Sequence, residues 1–509
     1  MMFDVAIVGY GPAGSLLARL LGQRGLRVGV FEREAAAYPL PRAVHFDGEV
    51  MRIFQSAGVA AEMAAVSRAS SKGMHFVNAE GRTLMIRQGM DGPGPQGWHN
   101  NHYFHQPDLE QVLRRAAQSC SGVSVRQNAE VVQVGSRGDH AWLRLAGGPS
   151  GKGEEFTARY LVGCDGARSM VREAIGSDYD DLGLRQPWLV TDVIMRRDLD
   201  LPDYTIQHCD PARPATACCV TGKRRRWEMM LKAGDDPVAI ARPENAWAHL
   251  ARWISPEDAE LERAAVYTFQ SVIARGWRKG RLLIAGDAAH QTPPFIGQGM
   301  CAGMRDCANL AWKLEHVLRG YSDESLLDTY ESERRPNVHA FIDLAVRVGA
   351  VIQAEGAAAE ERDRQFRDGD PQLFGFPPSR LGPGAHEEGL PAGEIFPQPR
   401  LVDGRLLDDA IGPHFAVLGA ARLFEQCEPA VRALWIAMGV VTLADPGDQV
   451  AAWLAAHRAG AVILRPDRYI FGIAADAKAL AALSRRLGLF CHGIEGQPVA
   501  SAPAAPMSE

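Results

Sequence analysis

The apolar positions at the start of the chain change period twice before Glu32. Asp4-Val5-Ala6-Ile7-Val8 is a short, largely β-branched run of the kind a buried strand needs. Gly9-Tyr10-Gly11-Pro12-Ala13-Gly14 follows, then a helical period through Ser15-Leu16-Leu17-Ala18-Arg19-Leu20-Leu21 that stops at Gly25. Val28-Gly29-Val30-Phe31 is a second apolar run, closing on Glu32. Together these predict a strand, a helix and a second, parallel strand. Between about Tyr204 and Gln270 the pattern alternates, as in Arg226-Trp227-Glu228-Met229-Met230-Leu231 and Ala265-Val266-Tyr267-Thr268-Phe269, which predicts an inserted strand-rich domain. The earlier pattern resumes at Gly280-Arg281-Leu282-Leu283-Ile284-Ala285-Gly286-Asp287, and long helical periods run from Cys301 to Leu318 and from Leu326 to Gln353. From about Glu355 to Gly393, Ala, Glu, Arg, Gly and Pro crowd together without a period, which reads as a linker. Phe415 to Leu418, Val440 to Leu443 and Ala461 to Asp467 then read as strands of a separate α/β domain of about 110 residues. The stretch Ser501 to Glu509 reads as a disordered tail, and no internal repeat is found.

A chain of 509 residues, 46% hydrophobic, is long enough for two or three cores. Lys and Arg number 55 against 61 Asp and Glu, a balance of 55 − 61 = −6 that gives no ground for expecting a nucleic-acid partner. The longest apolar stretch, Leu434 to Ala444, falls far short of the roughly 20 residues a membrane helix needs. Met1-Met2-Phe3-Asp4 carries no cationic region and no cleavage site follows, so a cytoplasmic protein without a membrane partner is expected. Nine cysteines without a C-x-x-C pair predict reduced, mostly buried thiols. His99, His102 and His105 recur every third residue, but they precede Gln106-Pro107 in what reads as an extended or turn segment. On a strand, side chains three apart face opposite ways, so no metal site is expected.

The glycines give the first unit its chemistry. Gly9 suits the tight turn, Gly11 a close approach of backbone to ligand, and Gly14 the packing of helix on strand. The helix start can then hold the paired phosphates of a dinucleotide on its free N–H groups. Glu32 follows Gly14 by 32 − 14 = 18 residues, near the place for a carboxylate that accepts ribose hydroxyls. Gly92-Pro93-Gly94-Pro95-Gln96-Gly97 fits the same pattern, yet two prolines interrupt it and no helical period follows, so it reads as a surface turn. One such site predicts one tightly held dinucleotide rather than separate flavin and nicotinamide domains. The basic run Lys223-Arg224-Arg225-Arg226 reads as a solvated hairpin, since Trp227-Glu228-Met229 beside it reads as a strand.

In order along the chain, Gly9-x-Gly11-x-x-Gly14, Cys164-Asp165-Gly166-Ala167-Arg168-Ser169 and Gly286-Asp287-Ala288-Ala289-His290 with Pro293-Pro294 resemble the motifs of the single-component (class A) FAD-dependent aromatic hydroxylases. The resemblance covers about residues 3 to 345, supported by Gln106-Pro107-Asp108-Leu109-Glu110, Gly297-Gln298-Gly299-Met300 and Tyr330-Glu331-Ser332-Glu333-Arg334-Arg335-Pro336. Within that group Pro41-Arg42-Ala43-Val44-His45-Phe46-Asp47 and Asn309-Leu310-Ala311-Trp312-Lys313-Leu314 are most similar to the 3-(3-hydroxyphenyl)propionate hydroxylases. Gly460 to Asp467 resembles the thioredoxin-like domain appended in phenol hydroxylase relatives, here without C-x-x-C and so without disulfide exchange.

The resemblance implies an α/β protein. A Rossmann-like FAD-binding domain (1–72, 100–176, 280–350) is interleaved with a β-rich substrate domain (73–99, 177–279), then come a linker (351–394), a thioredoxin-like domain (395–500) and the tail (501–509). It implies flavin contacts from Gly9, Gly11, Pro12, Ala13, Gly14, Glu32, Arg33 and Arg42, and from Gln106 and Asp165. Gly286, Asp287, Pro294, Gly297, Gln298, Gly299 and Met300 complete that set. Asp287 at a strand end could also cap a helix, and Arg115, which the resemblance puts on the flavin-contact segment, could equally lie on the exposed face of the helix begun at Asp108. His45 and Asp47, close behind Arg42, are expected in the substrate cavity. The implied activity inserts an oxygen atom into a small phenolic substrate, using NADPH or NADH and O2, through a flavin C4a-hydroperoxide. A homodimer is compatible with it. The alternatives are a hydroxylase of another phenol, a resorcinol or a polycyclic phenol, a flavin-dependent dehydrogenase, or a non-catalytic flavin binder. The halogenase mark W-x-W-x-I-P is absent.

Overall fold

A computed structural model describes residues 2–147, 153–367 and 369–489, so Cys491 and the expected tail 501–509 lie outside the described residues. The chain divides into two compact units, Met1–Ala311 with Arg334–Pro378, and Trp312–Glu333 with Ser379–Glu509.

The first unit is built on two large sheets. Strand β1 (Phe3–Val8), helix α1 (Pro12–Gly22) and strand β2 (Val28–Phe31) open an eight-stranded sheet. β1 pairs in parallel with β2, Val5 opposite Val28, and with Glu155–Gly163, Val5 opposite Tyr160. Leu282–Ile284 continues the parallel set beyond Glu155–Gly163. Val5, Ala6, Ile7 and Val8 are all buried, because a parallel strand covered on both faces has no polar side to present. α1 starts on Pro12, whose missing N–H costs nothing in a first turn, and buries Leu16, Leu17, Leu20 and Leu21.

The second sheet has nine strands in the order His290–Gln291, Ala259–Ala274, Tyr179–Met195, Arg224–Met230, Ala215–Cys219, Thr205–Cys209, Met74–Asn78, Thr83–Arg87 and Gln372–Phe374. Neighbouring residues on one strand feed opposite cores, as the pleat dictates. Trp188 and Met230 join Phe76, Phe295 and Phe341 on one face, whereas Leu189 and Met229 join Trp227 and Leu250 on the other. The segment 351–394, expected as a linker, carries the helix Gly356–Gln365 and the strand Gln372–Phe374, which pairs in parallel with Thr83–Arg87. A three-residue strand has too little sequence to show a period. The short strand β3 (His45–Phe46) pairs with His102–Phe104, and helix α2 (Gly48–Ser56) follows it directly.

The second unit holds a four-stranded sheet ordered Val441–Ala444, Ala416–Gly419, Ala461–Leu464, Ile470–Ala474. Its first pair is parallel and the other two are antiparallel. Phe396, Leu407, Leu418, Val462 and Ile470 form its core. A buried ion cluster joins Arg465 to Glu333 at 2.8 Å and to Asp467 at 2.7 Å, with Lys313 also 2.8 Å from Glu333. Two cations facing two carboxylates leave it neutral, which is how buried charge is tolerated. Among the described residues, no helix is long and apolar enough to cross a membrane.

Candidate functional site

The turn after β1 is dictated by packing at its ends and left open at its middle. Gly9 has φ +97° and Gly14 φ is unexceptional, yet a Cβ on either would come closer than 3.0 Å to backbone, of Cys164 and of Gly9 respectively. Gly11 differs: a Cβ there meets nothing within 4 Å. No side chain caps the N-terminus of α1 beside it, so its N–H groups and positive dipole end are available to an anion. At the end of β2, Glu32 accepts the N–H of Tyr10 at 2.7 Å and of Glu34 at 3.0 Å. Each of its oxygens keeps a second lone pair. Arg33 is exposed and pairs with exposed Glu34 at 3.2 Å.

Two further loops reach this turn. Asp165 follows Glu155–Gly163, and its Oδ2 accepts the N–H of Met170 at 2.9 Å and of Val171 at 3.3 Å. Its Oδ1 is buried without a partner, and burial pushes its carboxyl up. Gly286, with φ +64°, packs on the start of α1, since its Cβ would sit 3.3 Å from that of Ala13. The N–H of Gly286 donates to the fully buried Asp306 at 3.1 Å, which also lies 2.6 Å from His290 Nε2 and 2.9 Å from Arg334 Nε. Burial opposes the charge of Asp306, but His290 and Arg334 hold its carboxyl below the usual range. Asp287 is exposed between buried Gly286 and Ala288. Burial by the surrounding protein pushes its carboxyl up against the pull of His290 and Arg42. Farther on, Thr292 Oγ1 is buried without a partner, Pro294 opens the turn Pro294–Ile296, and Gly297 has φ +66°. Gly299 and Met300 begin the helix Gly299–Leu318, and a Cβ on Gly299 would meet nothing nearer than 3.8 Å.

The strap 41–43 is held by its main chain. Gln106 accepts the N–H of Arg42 at 2.9 Å and of Ala43 at 2.7 Å while donating to Glu110 at 2.8 Å, so its amide fixes the strap. The Arg42 side chain is exposed and lies 5.1 Å over the ring of Tyr38. The reading of Lys223 to Arg226 as solvated needs correction at its last residue. Arg226 is 2% exposed, pairs with Asp192 at 2.8 Å, and donates to the carbonyls of Pro41 and Arg42 at 2.5 Å. Arg263 donates to Pro41 as well, at 2.7 Å. The strand Arg224–Met230 turns Arg226 inward, where Asp192 and two peptide carbonyls compensate it.

Asp47, expected in a substrate cavity, is buried and hydrogen-bonded within the protein. Its Oδ1 caps α2 at the N–H of Val50, 3.0 Å, and its Oδ2 takes Gln298 Nε2 at 3.0 Å and Arg305 Nη2 at 2.5 Å. Arg305 also binds Glu49 at 2.6 Å and Gln298 Oε1 at 3.0 Å. Asp47 and Gln298 are thereby parts of a closed, buried network, and Gln298 can offer a ligand only its backbone. His45 is buried, 3.3 Å from the Gly297 carbonyl through Nδ1 and 3.1 Å from Asn101 Oδ1 through Nε2. Burial and then the charge of Arg87 push its imidazole down to about 4, so it is neutral at pH 7. Arg87 and Asn101 carry no local sequence signal, and only distant partners mark them out. Of the spaced histidines, His102 stacks on Phe46 at 4.8 Å and His105 pairs with Asp108 at 3.1 Å. Among the described residues no group of His, Cys, Asp or Glu is placed to hold a metal.

Comparison with known proteins adds the following. Residues 2–345 match the family model described as the FAD binding domain, and residues 393–488 match the HcaD C-terminal domain. The chain is 38% identical to a probable NADH-specific resorcinol 4-hydroxylase of Rhodococcus jostii, over 99% of this chain and 97% of that one. It is 34% identical to a 3-(3-hydroxy-phenyl)propionate/3-hydroxycinnamic acid hydroxylase of Burkholderia vietnamiensis, over 92% of this chain and 93% of that one. The fold is shared with aklavinone-11 hydroxylase, solved with FAD and aklavinone, at TM-score 0.80 and 23% identity over 95% and 98% of the chains. It is also shared with the flavin-dependent monooxygenase PieE, solved with FAD and substrate, at TM-score 0.82 and 22% identity over 97% and 99%.

Proposed function

The chain belongs to the FAD binding domain family, and from that premise we propose that it is an FAD-dependent monooxygenase that hydroxylates a small phenol with NADH or NADPH and O2. One observation carries the cofactor assignment: Gly11 opens onto unfilled space beside the uncapped start of α1, with the exposed carboxylate of Asp287 on the adjoining loop. A cradle of that kind fits a dinucleotide. The N–H groups of α1 would hold the pyrophosphate, Glu32 would accept ribose hydroxyls, and Asp287 would accept a hydroxyl of the ribityl chain. Gly297 and Gly299 would bring backbone N–H groups to the pyrimidine end of the ring system. FAD, once bound and reduced by the nicotinamide, supplies the electrons that split O2, one oxygen atom going to the ring and the other to water. The protein must orient the phenol and keep bulk water from the reacting atoms.

The reading of the substrate side rests on the aromatic face of the nine-stranded sheet. Trp188, Phe269 and Phe295 cluster there, with ring centroids 5.4 to 6.2 Å apart; Trp188 and Phe295 are core residues, and half-buried Phe269 is the ring that would meet a flat aromatic ligand. The names of the relatives favour resorcinol or a 3-hydroxyphenylpropionate as substrate and NADH as reductant. For the second unit, the strand order with one parallel and two antiparallel pairings supports a thioredoxin-like assignment. The test is direct. Purified protein should carry FAD, and resorcinol or 3-(3-hydroxyphenyl)propionate should accelerate NADH oxidation with matching O2 uptake and a hydroxylated product. Oxygen uptake that returns only H2O2 with every phenol sinks the proposal.

A further inference from the structure

The strand Leu282–Ile284 leaves its sheet at Ala285, whose N–H donates to the Gly163 carbonyl at 3.0 Å. The turn Gly286–Ala288 starts there, and the leading N–H groups of such a turn have no partner within it. At Gly286 the N–H turns to Asp306 Oδ2 at 3.1 Å, while the carbonyl accepts the N–H of Ala289 at 2.8 Å. Both polar backbone groups of the residue before Asp287 are thus committed to the protein. The Asp287 carboxylate, by contrast, takes no hydrogen bond from the described residues: burial and the pull of His290 and Arg42 are what act on it.

The helix Gly299–Leu318 supplies both the room for this turn and the acceptor. Gly303 and Asp306 stand three residues apart, on one helix face. A Cβ on Gly303 would lie 3.1 Å from the Gly286 Cα, and one on Gly286 would lie 3.3 Å from the Cβ of Ala13 in α1, so the turn is wedged between two helices. Packing sets where Gly286 lies but not which way its peptide faces. A glycine at φ +64° has no side chain to resist a flip of that peptide, and the bond to Asp306 removes the freedom.

Asp306 is itself held on both oxygens. It is fully buried, with His290 Nε2 at 2.6 Å on the oxygen that takes Gly286 and Arg334 Nε at 2.9 Å on the other. An ionised carboxylate can only accept, so His290 Nε2 carries the proton and all three partners donate. The Nδ1 of His290 is buried without a partner, which leaves the contact with Asp306 as the polar work of this ring. Arg334, from the helix Thr329–Ile352, also donates to Asn337 at 2.8 Å and to the Ala302 carbonyl at 3.4 Å. A pair with Arg334 alone would neutralise the charge of Asp306, and the two further donors fix its direction.

We propose that Asp306 is a positioning residue for the cofactor: by holding the Gly286 N–H it makes this turn present an acceptor, the Asp287 carboxylate, to a ribityl hydroxyl instead of a peptide donor. This rests on the placement of Asp287 in the proposed function. His290 and Arg334 act one step farther back, keeping Asp306 aimed at Gly286.

The test is a double-mutant cycle on FAD retention, read as the fluorescence of flavin released when holoenzyme is diluted. Asp306→Leu combined with Arg334→Met removes the acceptor without leaving a buried guanidinium unpaired, an exchange that keeps stability near that of the wild type. It should raise the FAD dissociation constant about tenfold, and less than about twofold in the Asp287→Ala background. Should that pair not fold, Asp306→Asn takes its place. Its single carbonyl oxygen is claimed by the charge of Arg334, its amide group faces the Gly286 N–H, and the same two changes are expected. Equal losses in the two backgrounds make Asp306 a general support of the fold and overturn the positioning role. Full FAD retention in the Asp306 variant or in Asp287→Ala overturns it as well. If the cycle holds but no phenol is hydroxylated, the proposed function fails and the positioning role stands. If phenols are hydroxylated and the losses are equal, the positioning role fails and the function stands.

Discussion

Two glycines of one motif should fail in different ways when enlarged. At Gly11 the backbone has φ −72° and an added Cβ meets nothing within 4 Å, so Gly11→Val strains neither chain nor packing. The poorer N-cap costs up to about 1 kcal/mol, and the stiffer unfolded chain returns about 0.4–1 kcal/mol, which leaves apoprotein stability close to unchanged. At Gly14 the Cβ would lie closer than 3.0 Å to the Gly9 carbonyl, which cannot retreat. Gly9 is itself pressed against the Cys164 backbone, and its N–H is tied to the Phe31 carbonyl at 2.8 Å. Gly14→Ala must therefore lift α1 from β1, an overpacking cost of about 1–3 kcal/mol at the upper end of that range. The assay is a thermal melt of each apoprotein with and without excess FAD. Wild-type protein gains about 2.7 kcal/mol at a hundred times the dissociation constant. Gly11→Val should melt with the wild-type apoprotein and gain nothing from FAD, whereas Gly14→Ala should melt early in both conditions. A Gly11→Val protein that takes up FAD with the full thermal gain refutes the placement of the phosphates at the mouth of α1.

Asp287→Ala should raise the FAD dissociation constant about tenfold to a hundredfold, the worth of one hydrogen bond to a charged group, while the apoprotein loses no stability because its carboxylate is disfavoured by burial. Released flavin fluorescence measures it, and unchanged retention removes Asp287 from the site. Asp47→Ala removes a helix cap worth about 1 kcal/mol and half the counter-charge of buried Arg305, so denaturant melts should show a loss of about 3 kcal/mol or more. Catalysis lost at full stability would instead make Asp47 a wall of the cavity. The imidazoles of His45 and His102, held down to about 4 chiefly by burial, bind fewer protons folded than unfolded between pH 4 and 6.5. Their contribution is complete above the unfolded pKa and drains away as pH falls through that window, at roughly 1.4 kcal/mol per pH unit for each. A flat stability profile from pH 7 to 4.5 contradicts this.

What could be read from the chain was what is local. The β1, α1, β2 unit announces itself because a buried parallel strand and an amphipathic helix each impose a period, and the three glycines lie within one turn of each other. The strand end that carries Asp287 was legible because Leu282 to Ala285 is an apolar run. Residues whose work is done at a distance gave no such sign. Gln106 holds Arg42 across 64 positions, and Arg305 reaches Asp47 across 258. Arg226 misleads because charge runs usually cap hairpins, whereas the pleat of this strand turns one member of the run inward. Arg87 sits in a short alternating strand that any surface hairpin could contain, yet it is buried against Asn101.

The anchoring of the 41–43 segment by Gln106, Arg226 and Arg263 has an evolutionary corollary. All three fasten peptide N–H or carbonyl groups, never the side chain at position 42. The path of this stretch is thus independent of which residue projects from it, so position 42 can drift or be engineered, retuning what it touches, while the scaffold beneath keeps its course.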